Sequence, residues 1–196
     1  MNSSFRIKAP ELAVSTWFNT PAPLSLEKLR GRVVFLHAFQ MLCPACVSHG
    51  LPQTQRVQNV FRDTDLQVIG LHTVFEHHAV MTPDALKAFI HEYRLTFPIA
   101  VDEPSDTGLI PKTMERFGMR GTPTAIIIGR DGHVEYHRFG IEDDMIIGAR
   151  LATLLAEPMP ALGAAGPERT GCTADGCAID PDMARTAIGN RETGRE

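Results

Sequence analysis

Apolar positions in this chain come in runs that alternate between strand-like blocks and helical spacing, with turn-forming residues between them. Residues 33–39, VVFLHAF, are apolar on both faces and rich in β-branched and aromatic side chains, the pattern of a central strand covered from either side. His37 is the one ionisable member of that run. Residues 44–61 change to helical spacing, with Val47, Leu51, Thr54, Val57 and Phe61 on one side. Pro52 lies within this helix. It has no N–H to bond the carbonyl of Ser48, which predicts a kink eased by Gly50. Residues 66–71 read as a second buried strand after the turn residues Asp63, Thr64 and Asp65.

Further on, Thr82, Pro83 and Asp84 give a helix start: a capping hydroxyl, a proline at the first position and an acid in the first turn. Leu86, Phe89, Ile90 and Tyr93 then line one helical face. Residues 97–101 predict a short strand, 111–117 a short helix, and 124–128 a strand joined through Arg130, Asp131 and Gly132 to a partner strand at 133–139. Residues 141–155 predict the last amphipathic helix. Upstream, residues 9–32 read as a proline-interrupted approach segment, with one short helix around Leu26 and Leu29 ended by Gly31. The order β-α-β-α-β-α-β-β-α predicts an α/β domain over residues 1–156, a mixed sheet with helices on both faces. From residue 157 to 196 the composition turns to Pro, Gly and Ala without period, which predicts a flexible tail.

Composition changes this picture little. With 196 residues, 43% of them hydrophobic and 21% charged, the chain can bury one sizeable core. Of the formal net charge of −4, the tail holds seven acidic and four basic residues, so the body is nearly neutral. That excludes an evident nucleic-acid surface or membrane-surface patch. No apolar run has transmembrane length, and the first residues lack the apolar core of a secretory signal, so a cytoplasmic location is expected. Four cysteines in two tight pairs, Cys43 with Cys46 and Cys172 with Cys177, then suggest redox cycling or metal binding, not a structural disulfide framework.

The candidate chemistry centres on residues 39–46, FQMLCPAC. Two cysteines three apart stand where the central strand gives way to a helix start. There the positive end of the peptide dipoles favours a thiolate, and a second cysteine one turn on can close and open a short-loop disulfide.

The apolar strand, CPAC at a helix start, a proline-interrupted helix, Gly121-Thr122-Pro123 before a strand and an Asp-Gly hairpin together resemble the thioredoxin superfamily. The resemblance covers about residues 9–156 and is strongest toward the TlpA-like and redoxin branches. It implies a thioredoxin-like α/β fold with a C-terminal tail outside it, and a thiol–disulfide oxidoreductase in which Cys43 attacks and Cys46 resolves. Pro123 matches the family's cis-proline beside the cysteines, with Thr122 offering its backbone to substrate. His37 stands where thioredoxin carries a buried carboxylate. An imidazole, with an ordinary pKa near 6.5, could move the same proton, although a core histidine with one hydrogen bond is the plainer reading. Partners implied are protein or small-molecule disulfides and a thiol reductant or reductase; no cofactor, resident metal, nucleic acid or membrane is expected.

Departures from the family pattern open alternatives. Leu42 replaces the usual tryptophan, and Pro52 falls one residue late, which predicts a local bulge. Glu76, in the segment after the second strand, matches a glutamate that tunes the cysteines in some TlpA-like proteins. Arg120 resembles the arginine of peroxiredoxins, which makes a thiol peroxidase the second reading. Gln40 replaces the threonine that such a peroxidase needs. Cys172 and Cys177 fit a second redox pair, two of four thiolates around zinc, or thiols without partner chemistry. A metal-binding or redox-sensing module is the non-enzymatic reading.

Overall fold

Strand β2 (Val33–Phe39) is buried at every position, as a strand apolar on both faces requires. It pairs in parallel with β3 (Leu66–His72) and antiparallel with β5 (Thr124–Ile128). Beyond β3 lie β4 (Ile99–Asp102), parallel to it, and then β1 (Val14–Phe18), antiparallel to β4; beyond β5 lies β6 (Val134–Phe139), antiparallel. The sheet order is therefore β1-β4-β3-β2-β5-β6, with mixed direction. The computed structural model describes residues 7–158 and, further on, the backbone of residues 171–173 and 176–178. The chain divides into two units, residues 1–160 and 161–196.

Alternation along β2 divides the core. Val33, Phe35 and Phe39 face α1 (Leu51–Val60), α2 (Pro83–Glu92) and α4 (Asp144–Ala156), in one cluster with Leu51, Val57, Leu86, Ile90, Ile147 and Leu151. Val34, Leu36 and Ala38 face the other way, onto α3 (Lys112–Arg116) and its Met114, and onto Leu26 and Leu29. Each fully buried large side chain, such as Phe35 or Phe97, removes apolar area worth about 1.5–3 kcal/mol. Thr82 caps α2 as its sequence predicts, accepting from the N–H of Ala85 at 3.3 Å. Asp143 caps α4 in the same manner, so that helix begins three residues later than its apolar spacing suggests.

Two expectations for the approach segment are corrected. Residues 14–18 form edge strand β1; its ladder is irregular between Val14 and Thr16, and the Ser15 hydroxyl bonds the carbonyl of Val101. Leu26 and Leu29 are buried, but residues 26–31 form successive turns and no helix. The run is short, and Gly31 takes a φ of 89°, which ends any helical path. At the other end of the sheet, Asp102 does work that its sequence position did not suggest: its buried carboxylate accepts the N–H groups of Thr113 and Met114 and the Thr73 hydroxyl, tying β3 and β4 to α3.

The helix that starts at Pro44 resolves its proline by widening, not by a simple kink. Residues Cys46–Gly50 form a π-helical turn, closed by the Leu51 N–H on the carbonyl of Cys46, and α1 continues from Leu51. The extra residue in the turn relieves the clash that Pro52 would make with the preceding turn. Gly50 is thereby brought against the sheet. A Cβ placed there would meet Nε2 of His37 at 2.5 Å and Cβ of Pro123 at 3.3 Å.

Two histidines are enclosed in this core. His37 is 2% exposed and His72 is 1% exposed, and neither ring has a hydrogen-bond partner among the described residues. His72, one residue past the predicted end of its strand, packs on Phe39 with ring centroids 5.3 Å apart. Burial lowers both pKa values to about 4.

In the second unit, β7 (Gly171–Thr173) and β8 (Gly176–Ala178) form an antiparallel pair within the segment expected to be an unstructured tail. The side chains of Cys172 and Cys177 lie outside the described residues.

Two outcomes are expected. Unfolding exposes His37 and His72 and returns them to about 6.5, so between pH 6.5 and 4 the unfolded chain binds more protons than the folded one. Stability is full above pH 6.5 and falls as pH drops toward 4, by about 3 kcal/mol for each ring at most. Denaturant midpoints measured from pH 7.5 to 4.5 should show this slope, and His72→Leu should flatten it; an unchanged slope would refute the assignment. Second, Gly50→Ala gains up to about 1 kcal/mol of helix propensity but loses about 1–3 kcal/mol to overpacking against His37. It should destabilise the wild type and stabilise a His37→Ala background, a sign reversal that chemical denaturation of the four variants would detect.

Candidate active site

The two cysteines stand at opposite ends of the first turn after β2, and the turn treats them differently. Cys46 is fully buried within the cluster under α1, whereas Cys43 is half-buried and flanked by exposed Leu42 and Pro44. Both are free thiols. The N–H of Cys46 donates to Sγ of Cys43 at 3.3 Å, and Cys43 N–H is itself bonded to the carbonyl of Gln40. One helix-start donor is thus directed at the outer sulfur.

The loop before β5 closes the site. Its Thr122–Pro123 bond is cis. The Thr122 carbonyl accepts the Cys43 thiol at 3.6 Å, while the Pro123 carbonyl is occupied by the N–H of Gly140. Thr122 is half-buried and Pro123 buried, so the residues expected beside CPAC are brought to it.

The Cys46 thiol is pushed up to about 12, first by burial and then by its hydrogen bond with Cys43. The backbone N–H of Gln40 and the side chain of Thr122 oppose that rise. These two contacts went unrecognised in the sequence, where Gln40 stood out only as a missing threonine. Nothing in residue type marks a backbone donor, so only the chain path could reveal it.

His37 occupies its expected place, on the same face of β2 as Phe35 and Phe39, but not with its expected acidity. Its ring lies against Gly50 and beside Pro123, at a cavity of about 50 Å³ that His49, Gln53 and Glu142 also line. That space accommodates a water molecule. Complete burial moves the imidazole from 6.5 to about 4, so it is neutral at physiological pH and a far weaker base than the sequence suggested.

Two accessory candidates, Arg120 and Glu76, have surroundings of their own. Arg120 sits over the ring of Phe139, 5.6 Å from its centroid. Glu76 is exposed in the bend after β3. Among the described residues no cluster of three or more His, Cys, Asp or Glu is placed to hold a metal ion, and no helix is long and apolar enough to cross a membrane.

Known proteins resemble the chain at both levels. It is 26% identical to the thiol-disulfide oxidoreductase ResA of Halalkalibacterium halodurans over 124 residues, 63% of either chain. It is 30% identical over 138 residues to NHL repeat-containing protein 2 of Gallus gallus, covering 68% of this chain and only 18% of that much longer protein. The chain therefore spans less than two thirds of these curated relatives. Among solved structures, a thioredoxin-like superfamily protein aligns with a TM-score of 0.76 and 51% identity, over 79% of this chain and 99% of the other. A thiol-disulfide isomerase from Corynebacterium glutamicum aligns with a TM-score of 0.72 and 48% identity, over 76% and 98%. The fold is thioredoxin-like. The AhpC/TSA family model matches residues 6–137, most of the chain, and on that match the chain belongs to the AhpC/TSA family.

Proposed function

We propose that the protein catalyses thiol–disulfide exchange, with Cys43 as the attacking sulfur and Cys46 as the resolving one. The unequal placement of the two thiols carries this reading: one is reachable and held by an N–H donor, the other is enclosed and strongly protonated. The similarity to a thiol-disulfide oxidoreductase and a thiol-disulfide isomerase supports it.

In the reducing direction, the Cys43 thiolate attacks one sulfur of a substrate disulfide, and the other substrate sulfur leaves as a thiolate that takes up a proton. Cys46 then loses its proton, attacks Sγ of Cys43 and releases the second substrate thiol. The protein is left with a Cys43–Cys46 disulfide, which an external dithiol or low-molecular-weight thiol returns to the reduced state. The order of the steps follows from what raises Cys46. Its hydrogen bond with Cys43 and the charge on Cys43 both favour the protonated form, and both disappear once Cys43 is bonded to substrate. The burial penalty stays. The Gln40 N–H and the Thr122 side chain then remain to hold the new thiolate.

His37 is assigned a positioning role. Burial holds the Cys46 thiol up and the His37 imidazole down, so both shifts oppose proton transfer from one to the other and the resting ring is a poor base for this step. The substrates that fit are disulfides of proteins or small molecules whose approach is made over Leu42, which is 56% exposed, and the Thr122 backbone.

Cys46→Ser incubated with a disulfide-containing protein should accumulate a mixed disulfide on Cys43, visible by intact mass and released by dithiothreitol, and Cys43→Ser should accumulate none. Absence of the adduct under oxidising challenge overturns the assignment. For the second step, stopped-flow resolution of a preformed mixed disulfide should accelerate steadily from pH 6 to 9. An inflection near 6.5 that vanishes in His37→Gln would show instead that the imidazole is the base.

A further inference from the structure

The second unit carries a hairpin that the exchange reaction leaves unused. In β7 and β8, Gly171 is opposite Ala178, Cys172 opposite Cys177, and Thr173 opposite Gly176. Ala174 and Asp175 separate the strands. The cysteines are thus direct register partners and share one face of the ladder. Register partners in an antiparallel ladder have α-carbons about 4.5 or 5.5 Å apart, according to whether the pair exchanges hydrogen bonds. Both values fall within the roughly 4.4–6.8 Å that a disulfide spans. A slip of one residue would put the two on opposite faces, so the register itself selects the pair.

The local sequence agrees. Each strand has three residues, and glycine precedes each cysteine, in GCT and GCA. Glycine weakens strands, and an isolated two-stranded hairpin is marginal in water. A covalent cross-strand link is what such a pair lacks. Two thiols alone also supply only half of the four ligands that a structural zinc site takes.

We propose that Cys172 and Cys177 form a reversible disulfide across this hairpin, a second two-electron couple exchanged by low-molecular-weight thiols and disulfides. One cysteine thiolate attacks a small disulfide and displaces one thiolate; the second cysteine attacks the resulting mixed disulfide and displaces the other. The hairpin loses two electrons and two protons, and the small disulfide becomes two thiols. This couple is independent of the role given to Cys43 and Cys46.

The test uses the full chain with Cys43→Ser and Cys46→Ser, equilibrated across ratios of reduced to oxidised glutathione, acid-quenched and alkylated. Residues 170–185 fall in one tryptic peptide. The expected result is one two-electron transition, from a doubly alkylated peptide to an unalkylated peptide lighter by two hydrogens. Adding Cys172→Ser should abolish it and leave a single glutathione adduct. The same peptide from the wild-type chain should titrate alike, which covers the case in which the double variant folds poorly. The proposal is overturned if both thiols stay alkylatable at every ratio, if only glutathione adducts or covalent dimers form, or if stoichiometric zinc is what protects them.

Discussion

A proline one residue out of place shapes this site. Pro52 cannot donate to the ladder, and in a regular helix its ring would strike the turn before it. The π turn over Cys46–Gly50 absorbs that conflict within the same five residues that must bury one cysteine. Gly50 ends the turn pressed toward β2, where only the absence of a Cβ leaves room for the His37 ring and, beyond it, for Pro123. Helix, central strand and the loop before β5 therefore meet at one contact. The burial of Cys46 depends on that meeting.

The difference between the two sulfurs follows from position more than from residue chemistry. They are three residues apart in one turn, yet the inner one enters the cluster formed by β2, α1 and α4, and the outer one stays at the rim with the Thr122 carbonyl. Burial is the largest influence on Cys46 and outweighs the donors that oppose it. Helix α1 is held in register with α4 by Arg56, which makes two bonds to Asp144, and by Gln53, which bonds Asp144 and the carbonyl of Glu142. The ion pair is half-exposed and contributes at most about 1 kcal/mol. The apolar cluster, not this pair, keeps the inner sulfur dry.

Much of the fold was legible because local and global preferences agree in its strongest elements. Residues 124–128 have no polar side chain besides Thr124 and form the strand their pattern predicts. Thr82 and Pro83 mark a helix start by chemistry that needs no tertiary help. Strand β1 was hidden because it pairs on one edge only, with its burial alternating irregularly about the bulge near Ser15. The turn at residues 26–31 misled for the opposite reason: its two leucines have helical spacing, but they are buried by neighbours from other parts of the chain. At the site, the cysteines and Pro123 could be named from spacing. The Gln40 amide and the depth of His37 could not, since both arise from the path of the backbone around them.

That depth changes the electrostatics beneath the cysteines. A carboxylate at position 37, as thioredoxin has, would place a potential negative charge under a sulfur that must itself become negative. A neutral imidazole places none. It also cannot take a proton without being charged at a site where neither ring nitrogen has a hydrogen-bond partner among the described residues. The acidity of Cys46 is then governed by influences that do not titrate near neutrality: burial, one backbone N–H and one side chain on the loop before β5. Substrate bonding at Cys43 removes the titratable influence of that thiol. The switch from holding to releasing a substrate is thus tied to the covalent state of the outer sulfur itself.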